Sequence, residues 1–363
     1  MNTVVRLVVV LLSLSGVSVL AESLKVGVPL ALTGDQGGLG NDMKNAILIG
    51  KELLEMNDVE FVFEDDKCSG QTSVSVAHKL TAIDKVDVVL GVSCNAALLP
   101  SVAIYRRAGI PVLTSSATTG DVTGVGPKVF RLFPADQGAS EALFKYLKVH
   151  TKKIAILTEQ DEFTALLQRH FLRLNSEAGS PLSIVADEVG AGTRDIKSVA
   201  LGLLRSKPEV LFVNTTTDPT FVMYVKEIRN LGISIPIVAA YYPASPSVLK
   251  ELGNQAEGVR FANLPALEGS FSDLGRRFNQ KFIERFGPPY AGPTVVPFTF
   301  EAVRLLHRAH SKGVDLDVLL RGGDFGESSI GAYQFDSDGA VSGIAFEMQE
   351  IRNGKPVSLV DSQ

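Results

Sequence analysis

Residues 86–118 read VDVVLGVSCNAALLPSVAIYRRAGIPVLTSSAT and contain one complete strand–helix–strand unit. Val86–Val92 is a short apolar run rich in β-branched residues, which is typical of a strand buried on both faces. Helical spacing follows over Ala97–Arg107, and Gly109 stands just past the predicted helix end, where glycine is common. The next apolar strand, Ile110–Thr114, begins directly afterwards. This stretch therefore predicts a parallel βαβ unit.

The same alternation recurs on both sides of this unit. Further buried strands are predicted at Leu24–Leu32, Val59–Glu64, Lys153–Thr158, Leu182–Glu188, Val210–Asn214 and Ile235–Ala239. Helices are predicted at Asn41–Met56, Thr72–Asp84, Gln137–Val149, Thr164–Ala178, Arg194–Ser206, Pro219–Leu231, Phe271–Phe286 and Thr294–His310. Repeated βα units with near-continuous apolar strands indicate an α/β fold with doubly wound parallel sheets.

The βα series runs twice, first to about Thr118 and again from Lys153. Extended segments at 128–133, 258–263 and 331–336 separate these series and the last helices. We therefore expect two lobes joined by three hinge links. Lobe 1 comprises 22–132 and 262–334, and lobe 2 comprises 133–261 and 335–363. A cleft at the carboxyl ends of both sheets is where such folds bind ligands, and a ligand that contacts both lobes should favour hinge closure.

The composition is that of a globular protein and argues against nucleic acid as a partner. The chain has 363 residues, of which 45% are hydrophobic and 21% charged, enough for two domains. Lys and Arg total 35 against 40 Asp and Glu, which leaves a net charge of −5 and no basic run. Nucleic-acid binding needs a positive stripe, so we expect no nucleic-acid partner. Nothing in the chain demands a partner surface, and we expect a monomer.

The N-terminus has the three-part layout of a secretory signal. A single cation, Arg6, precedes the apolar stretch Leu7–Leu20, and a small residue, Ala21, ends it. A membrane anchor is the alternative, but the unbroken apolar run Leu7–Leu12 is far shorter than the ~20 residues that a spanning helix needs. We expect export to the periplasm with removal of residues 1–21. No cysteine follows Ala21 directly, so no lipid anchor is indicated.

The chain has two cysteines, Cys68 and Cys94. Export would place them in an oxidising compartment, where a disulfide closing this loop is worth about 3–4 kcal/mol on the chain-entropy model. Two unpaired buried thiols are the alternative. The spacing is unlike C-x-x-C, so neither a redox motif nor a zinc site is indicated.

Three segments resemble parts of catalytic, nucleotide-binding or metal-binding motifs, but each lacks a residue that the motif requires. The glycine-rich segment 34–40 follows a strand but lacks the Gly-Lys-Ser/Thr ending and the G-x-G-x-x-G spacing of nucleotide sites. Residues 91–95, GVSCN, place Asn95 where a nucleophile elbow needs glycine. His307 and His310 lie three apart on a helix without a third ligand nearby. We expect no catalytic residue, no cofactor and no metal.

From Leu24 to Val360 the chain resembles the type I periplasmic binding proteins, and within them the leucine/isoleucine/valine-binding group that feeds ATP-driven importers. The resemblance rests on the order and spacing of KVGVPLALTG (25–34), EDDKC (64–68), GVSC (91–94), AGIP (108–111), SSAT (115–118) and FDSDG (335–339). It implies the two-lobed fold expected above. It also implies that Cys68 and Cys94 form a disulfide beside the cleft, since the family has a cysteine pair at these positions.

The resemblance further implies a site for the carboxylate of a ligand. In the family, the loops after the third and fourth strands hold this group through hydroxyls and backbone N–H groups. The corresponding residues here are Asn95, Ala96, Ser116, Ala117 and Thr118. Helix N-termini carry unpaired N–H groups and suit anions. Alternatively, Asn95 and Thr118 only cap their helices.

Three more ligand-binding positions follow from the resemblance, and each departs from the family pattern. Leu39 replaces an aromatic residue in the first glycine-rich loop. Phe163 lies in the segment that replaces the usual Asp-Tyr-Gly after the first strand of lobe 2. Thr217 lies after the next strand but one, where an aromatic residue is usual.

The largest departure concerns the partner of the ligand's ammonium group. The family's amino-acid binders place a carboxylate where this chain has Tyr241, beside Tyr242. An ammonium group desolvated without an anion is costly. Either Asp136, Asp161 or Asp218 supplies the charge, or the ligand is not an α-amino acid. The two tyrosines can stack on a ring or line an apolar pocket, or alternatively only pack against the lobe.

The resemblance implies a solute-binding protein of an ATP-driven importer rather than an enzyme. Such a protein captures a small carboxylate-bearing ligand, an amino acid or a related organic acid or amide, and delivers it to a membrane permease with an ATPase subunit. A periplasmic ligand-sensing protein that reports to a receptor or regulator is the alternative. An exported hydrolase is disfavoured because a nucleophile–base pair is missing.

Overall fold

The computed structural model describes residues 23–118, 126, 128–190, 192–193, 195–265, 271–290 and 294–359, with the side chain of Tyr242 left out. The predicted secretory signal, residues 1–21, lies outside these residues. In the described part, no helix has the length and apolarity needed to cross a bilayer.

A five-stranded parallel sheet, the first sheet, is built from the first third of the chain. Its strand order is β2-β1-β3-β4-β5. The strands are β1 (Leu24–Leu30), β2 (Val59–Asp65), β3 (Val88–Leu90), β4 (Val112–Thr114) and β5 (Val129–Arg131). The helices between them are α1 (Gly37–Leu53), α2 (Gly70–His78), which continues as a π-helical turn over Lys79–Ile83, and α3 (Asn95–Arg107).

A seven-stranded sheet, the second sheet, follows with the order β14-β13-β10-β9-β8-β6-β7. Its parallel strands are β6 (Lys153–Gln160), β7 (Ser183–Gly190), β8 (Val210–Asn214), β9 (Ile237–Ala240) and β10 (Arg260–Asn263). The accompanying helices are α4 (Asp136–His150), α5 (Glu162–Glu177), α6 (Lys197–Leu204), α7 (Asp218–Asn230) and α8 (Pro246–Leu252). The antiparallel strands β13 (Glu347–Arg352) and β14 (Lys355–Ser358) complete the sheet.

Between β10 and β13, the chain returns to the first sheet. It forms α9 (Asp273–Phe286), α10 (Val295–Lys312) and α11 (Leu316–Gly322), followed by a small hairpin of β11 (Gln334–Phe335) and β12 (Val341–Ser342). Phe298 and Ala302 of α10 pack with Val26 and Val28 of β1 in one fully buried cluster. The late helices therefore share a core with the first sheet, although they follow the second sheet's βα units in the chain.

The predicted α/β class with doubly wound parallel sheets is confirmed, and most predicted strands and helices are present. The predicted extended segments at 128–133 and 331–336 contain β5 and β11. The segment 258–263 contains β10, which is part of the second sheet because Arg260–Ala262 pair with β9 and Arg260–Asn263 pair with β13. The lobe boundaries themselves stay a prediction.

Candidate ligand-binding site

Two loops at the carboxyl edge of the first sheet are tied together by Asn95 and Thr118. Asn95 is the first residue of α3, after β3, and Thr118 follows β4. The Asn95 Nδ2 donates to Thr118 Oγ1 at 3.1 Å, and the Thr118 N–H donates to Asn95 Oδ1 at 2.9 Å. The N-cap of α3 is Cys94, not Asn95. Asn95 therefore joins the two predicted ligand loops instead of capping its helix.

Asp136 continues this network towards the second sheet. It is the first residue of α4, and its N–H donates to the Thr118 carbonyl at 3.2 Å. Its Oδ1 accepts a hydrogen bond of 2.7 Å from the Tyr241 hydroxyl, and its carboxylate also bonds the Thr118 side chain. Tyr241 directly follows β9. A continuous chain of hydrogen bonds thus runs from Asn95 through Thr118 and Asp136 to Tyr241, from the edge of one sheet to the edge of the other.

The carboxylate of Asp136 is buried, and the charge of Arg131 acts on it. Burial raises the pKa of Asp136 to about 6, against the hydrogen bonds from Thr118 and Tyr241 and the charge of Arg131, which lower it. The Arg131 side chain is also buried, and it donates to the Phe133 carbonyl. Burial lowers the pKa of Arg131, whereas the charge of Asp136 raises it. Each of the two charges therefore favours the charged form of the other, against the effect of burial on both.

Tyr241 has an unusual backbone conformation for its residue type. Its φ is +59°, the left-handed region, which costs a bulky residue on the order of 1–3 kcal/mol. Its N–H donates to the Ala262 carbonyl at 3.0 Å, and its hydroxyl donates to Asp136. Hydrogen bonds thus hold both the backbone and the tip of the side chain. Its ring lies 6.0 Å from that of Phe163 and 5.5 Å from that of Phe346. The structure thus brings Phe163 and Tyr241, both predicted from sequence, together at one sheet edge.

The remaining predicted residues of the first sheet's loops have local partners. The Ser116 hydroxyl donates to the Ser93 carbonyl at 3.0 Å, and the Ala117 N–H donates to Thr114 Oγ1 at 3.2 Å. Ala96 is exposed in the first turn of α3, where a helix has no internal partner for its N–H. Ala96 is therefore better placed than Ser116 or Ala117 to offer a donor to a ligand.

Three other predicted residues lie outside this network. Thr217 is the N-cap of α7, and its Oγ1 accepts from the Thr220 N–H at 3.3 Å. Leu39 lies in the first turn of α1, not in a loop, and packs against the core of the first sheet. Tyr242 begins a 3₁₀ turn, Tyr242–Ala244, and its side chain lies outside the described part.

The two other acidic candidates have different surroundings. Asp161 is exposed and caps α5, with its Oδ1 accepting from the Phe163 N–H at 2.9 Å. Asp218 is partly buried at the start of α7 and accepts hydrogen bonds from the hydroxyls of Ser245 and Ser247. Sequence reasoning missed both serines, because they carry no motif and meet Asp218 only through the packing of α8 beside α7.

The disulfide prediction is confirmed: Cys68 and Cys94 are bonded, with their Cα atoms 5.5 Å apart. Cys94 directly precedes Asn95, so the bond anchors the start of α3 to the loop after β2. The buried Asp66 supports that loop by accepting from the Cys68 N–H at 2.8 Å. Within the described ranges, no group of three or more His, Cys, Asp or Glu is arranged to hold a metal ion.

This two-sheet fold, with polar side chains converging from the carboxyl edges of both sheets, defines a binding protein. The family model described as "Periplasmic binding protein" matches residues 23–318, and the chain belongs to that family. It is a solute-binding protein.

Its relatives in sequence are amino-acid-binding proteins by name. The Leu/Ile/Val-binding protein of Escherichia coli (strain K12) is 25% identical over 249 residues, 66% of this chain and 67% of that protein. The leucine-, isoleucine-, valine-, threonine- and alanine-binding protein of Pseudomonas aeruginosa is 22% identical over 350 residues, 92% of this chain and 91% of that protein.

Solved structures show the same fold with different named ligands. A leucine-binding protein of Thermotoga maritima has a TM-score of 0.80 at 20% identity, covering 93% of this chain and 98% of its own. A solute-binding protein of an ABC transporter from Rhodopseudomonas palustris BisB5, in complex with 3,4-dihydroxybenzoic acid, has a TM-score of 0.77 at 20% identity, covering 93% and 97%. At this identity the likeness establishes the fold alone.

Proposed function

We propose that this protein is an exported, periplasmic solute-binding protein of an ATP-driven importer. It captures a small carboxylate-bearing ligand, an amino acid or a related organic acid or amide, between its lobes and delivers it to a membrane permease with an ATPase subunit. The observation that carries the proposal is the hydrogen-bond chain from Asn95 and Thr118 to Asp136 and Tyr241. It connects polar groups of both sheet edges, which supports a site where a small ligand contacts both lobes.

The carboxylate of the ligand is assigned to the start of α3. Ala96 offers an N–H group there, and the helix dipole favours an anion at that end. The Asn95 amide adds a side-chain donor at the same turn. The nearby charge of Asp136 would repel a ligand anion, but Arg131 balances that charge.

The apolar part of the ligand is assigned to the aromatic rings at the second sheet's edge. Phe163 and Tyr241 are both half-buried, with their ring centroids 6.0 Å apart. Rings in this arrangement can pack against an aliphatic chain or a flat ring. The names of the relatives support both classes, since one group is named for leucine, isoleucine and valine and one structure contains 3,4-dihydroxybenzoic acid.

A thermal-shift screen tests the binding function. The panel holds L-amino acids, aliphatic and aromatic carboxylates and small amides, added to protein freed of carried-over ligand. A ligand at about a hundredfold over its Kd adds about 2.7 kcal/mol to stability, which corresponds to several degrees in a protein of this size. We expect stabilisation by at least one carboxylate-bearing class. Stabilisation by none of them contradicts the proposed ligand class.

Uptake measurements test the transport function. Cells that lack this protein should lose high-affinity uptake of the compound found in the screen, and uptake should return when the protein is supplied. Unchanged uptake, together with normal binding in the screen, would favour the sensing function instead.

A further inference from the structure

Asp218 is an acidic residue that has hydroxyl partners and, among the residues that the structure describes, no cationic partner. Its Oδ2 accepts hydrogen bonds from the hydroxyls of Ser245 and Ser247 at the start of α8. Its Oδ1 accepts none from the described residues, and none of their Lys, Arg or His side chains forms an ion pair with it. Burial raises its pKa, while the two serine hydroxyls lower it. An anion in this setting gains from a cation brought by a ligand.

The other two acidic candidates are less suited to bind a ligand cation. The charge of the buried Arg131 favours the charged form of Asp136, which also accepts from Tyr241 and Thr118. Asp161 is exposed to solvent and caps α5. Asp136 Oδ2 also accepts no hydrogen bond from the described residues, but the charge of Arg131 already stabilises the charged form of that carboxylate. Of the three acids proposed from sequence as partners of an ammonium group, Asp218 alone is partly buried without the charge of a described cation acting on it.

Asp218 also lies where elements of the two sheets meet. Ser245 Oγ is 3.3 Å from the carbonyl oxygen of Tyr290, which precedes α10. The ring of Tyr290 lies on Gly38 of α1, so closely that a Cβ at that position would be 2.3 Å from it. Both α1 and α10 pack with the first sheet, whereas Asp218 and Ser245 lie beside the second. The Asp218 carboxylate is therefore at the boundary between the lobes.

The local field at this boundary is negative. Burial raises the pKa of the Tyr290 hydroxyl, and the charges of Asp218, Asp35 and Asp42 raise it further. Asp218 follows β8 and Tyr241 follows β9, and these neighbouring parallel strands lie about 5 Å apart. Asp218 and the Asn95–Asp136–Tyr241 network therefore lie at the ends of two neighbouring strands of the second sheet.

We propose that Asp218 is the specificity-determining residue that binds an ammonium group of the ligand, in place of the carboxylate that position 241 lacks. The inference rests on the proposed function and names the chemical class of the ligand as an amino acid. The cationic group can be an α-ammonium or the terminal ammonium of an ω-amino acid, since both offer the same donors. The serines orient Asp218, and Oδ1 is left for the ligand.

Calorimetric titrations of the wild type and of Asp218→Asn test this assignment. The probes are standard L-amino acids, short ω-amino acids and the corresponding carboxylates without an amino group. Asparagine keeps an acceptor for the serine hydroxyls but removes the charge. We expect the variant to lose about 10- to 100-fold in affinity for the amino acid that the wild type binds. Affinity for its des-amino counterpart should change by less than about threefold, because that compound has no cation to pair.

Asp161→Asn is the matched control. It removes one negative charge from the same sheet edge and keeps the cap of α5, since asparagine also caps helices. We expect less than about a threefold change for all probes. Whether α- or ω-amino acids show the large loss in Asp218→Asn identifies which ammonium group is bound.

The outcomes separate this inference from the proposed function. If the wild type binds carboxylates but no amino acid, or if Asp218→Asn binds the amino acid and its des-amino counterpart with equal losses or none, the assignment of Asp218 is wrong and the solute-binding function stands. If the wild type binds no probe, the proposed ligand class itself is contradicted.

Discussion

The hydroxyl of Tyr241 donates a 2.7 Å hydrogen bond to Oδ1 of Asp136, a residue 105 positions earlier in the chain. Asp136 begins α4 directly after the chain leaves the first sheet, and Tyr241 follows β9 of the second. Together with the bonds from Asp136 to Thr118, this contact connects the two halves of the candidate site.

Replacing Tyr241 by phenylalanine should therefore destabilise the protein. The change leaves the buried carboxylate of Asp136 with one donor fewer, which costs on the order of 1–2 kcal/mol in the free energy of unfolding. Urea unfolding at neutral pH measures the loss. Tyr146→Phe is the matched control, since Tyr146 stacks on His150 near the protein surface, and we expect a change within about 0.5 kcal/mol there. Equal effects in the two variants would show that the Tyr241–Asp136 bond contributes nothing specific.

Asp136 should also impose a pH dependence on stability. Its pKa is raised from 3.8 to about 6 in the folded protein. The folded state therefore holds the proton more tightly than the unfolded state, so this stabilising contribution is fully present below about pH 4 and is lost as the pH rises through about 6. The loss amounts to ~3 kcal/mol at neutral pH.

Unfolding free energies of the wild type and Asp136→Asn, measured from acidic to neutral pH, check this contribution. The variant should lack the decline that Asp136 causes. Asp66, whose pKa burial likewise raises to about 6, is present in both proteins, so its effect cancels in the difference. Parallel curves would mean that Asp136 does not titrate in this range.

Removing the disulfide should cost stability and weaken the site. With a sequence separation of 26, the loss of the Cys68–Cys94 bond in a double serine variant is about 3–4 kcal/mol on the chain-entropy model. Because Cys94 directly precedes Asn95, ligand affinity should fall as well. Adding reductant to the wild type should reproduce the loss, whereas the double variant should not respond to it. A wild type indifferent to reductant would contradict the structural role of the bond.

Substitutions at Asn95 test the assignment of the ligand carboxylate. Asn95→Ala removes the bonds to both the Thr118 hydroxyl and its N–H, and we expect about a tenfold or greater loss of affinity. Asn95→Asp restores an acceptor but adds a negative charge beside the carboxylate, so its loss should exceed that of alanine. Calorimetry with the carboxylate-bearing ligand decides the order. A smaller loss for aspartate than for alanine would place the carboxylate elsewhere.

The fold was largely predictable from periodicity, since buried parallel strands such as 153–158 and 210–214 are short apolar runs with little ambiguity. The extended conformation of 258–263 was predicted, but its pairing with β9 and β13 was not, because that pairing depends on other segments of the chain. The nearness of Asn95 and Thr118 followed from the resemblance, whereas their pairing with each other did not.

Electrostatic roles were the hardest part to predict. Sequence reasoning named Asp136, Asp161 and Asp218 as equal candidates because it could not tell which acid has a buried cation beside it. That answer depends on the tertiary structure, which lets the charge of Arg131 act on Asp136 but brings no described cation to act on Asp218. The left-handed backbone of Tyr241 was equally unpredictable, since tyrosine rarely adopts it without tertiary support.

Small-angle scattering of the ligand-free and ligand-saturated protein tests the central claim, that one small ligand is held between two lobes. The ligand is the compound that gives the largest thermal shift in the screen. We predict a smaller radius of gyration with the ligand, because contacts to both lobes shift the population towards a closed form. Identical dimensions in both states, at a ligand concentration that calorimetry shows to be saturating, would contradict capture between the lobes.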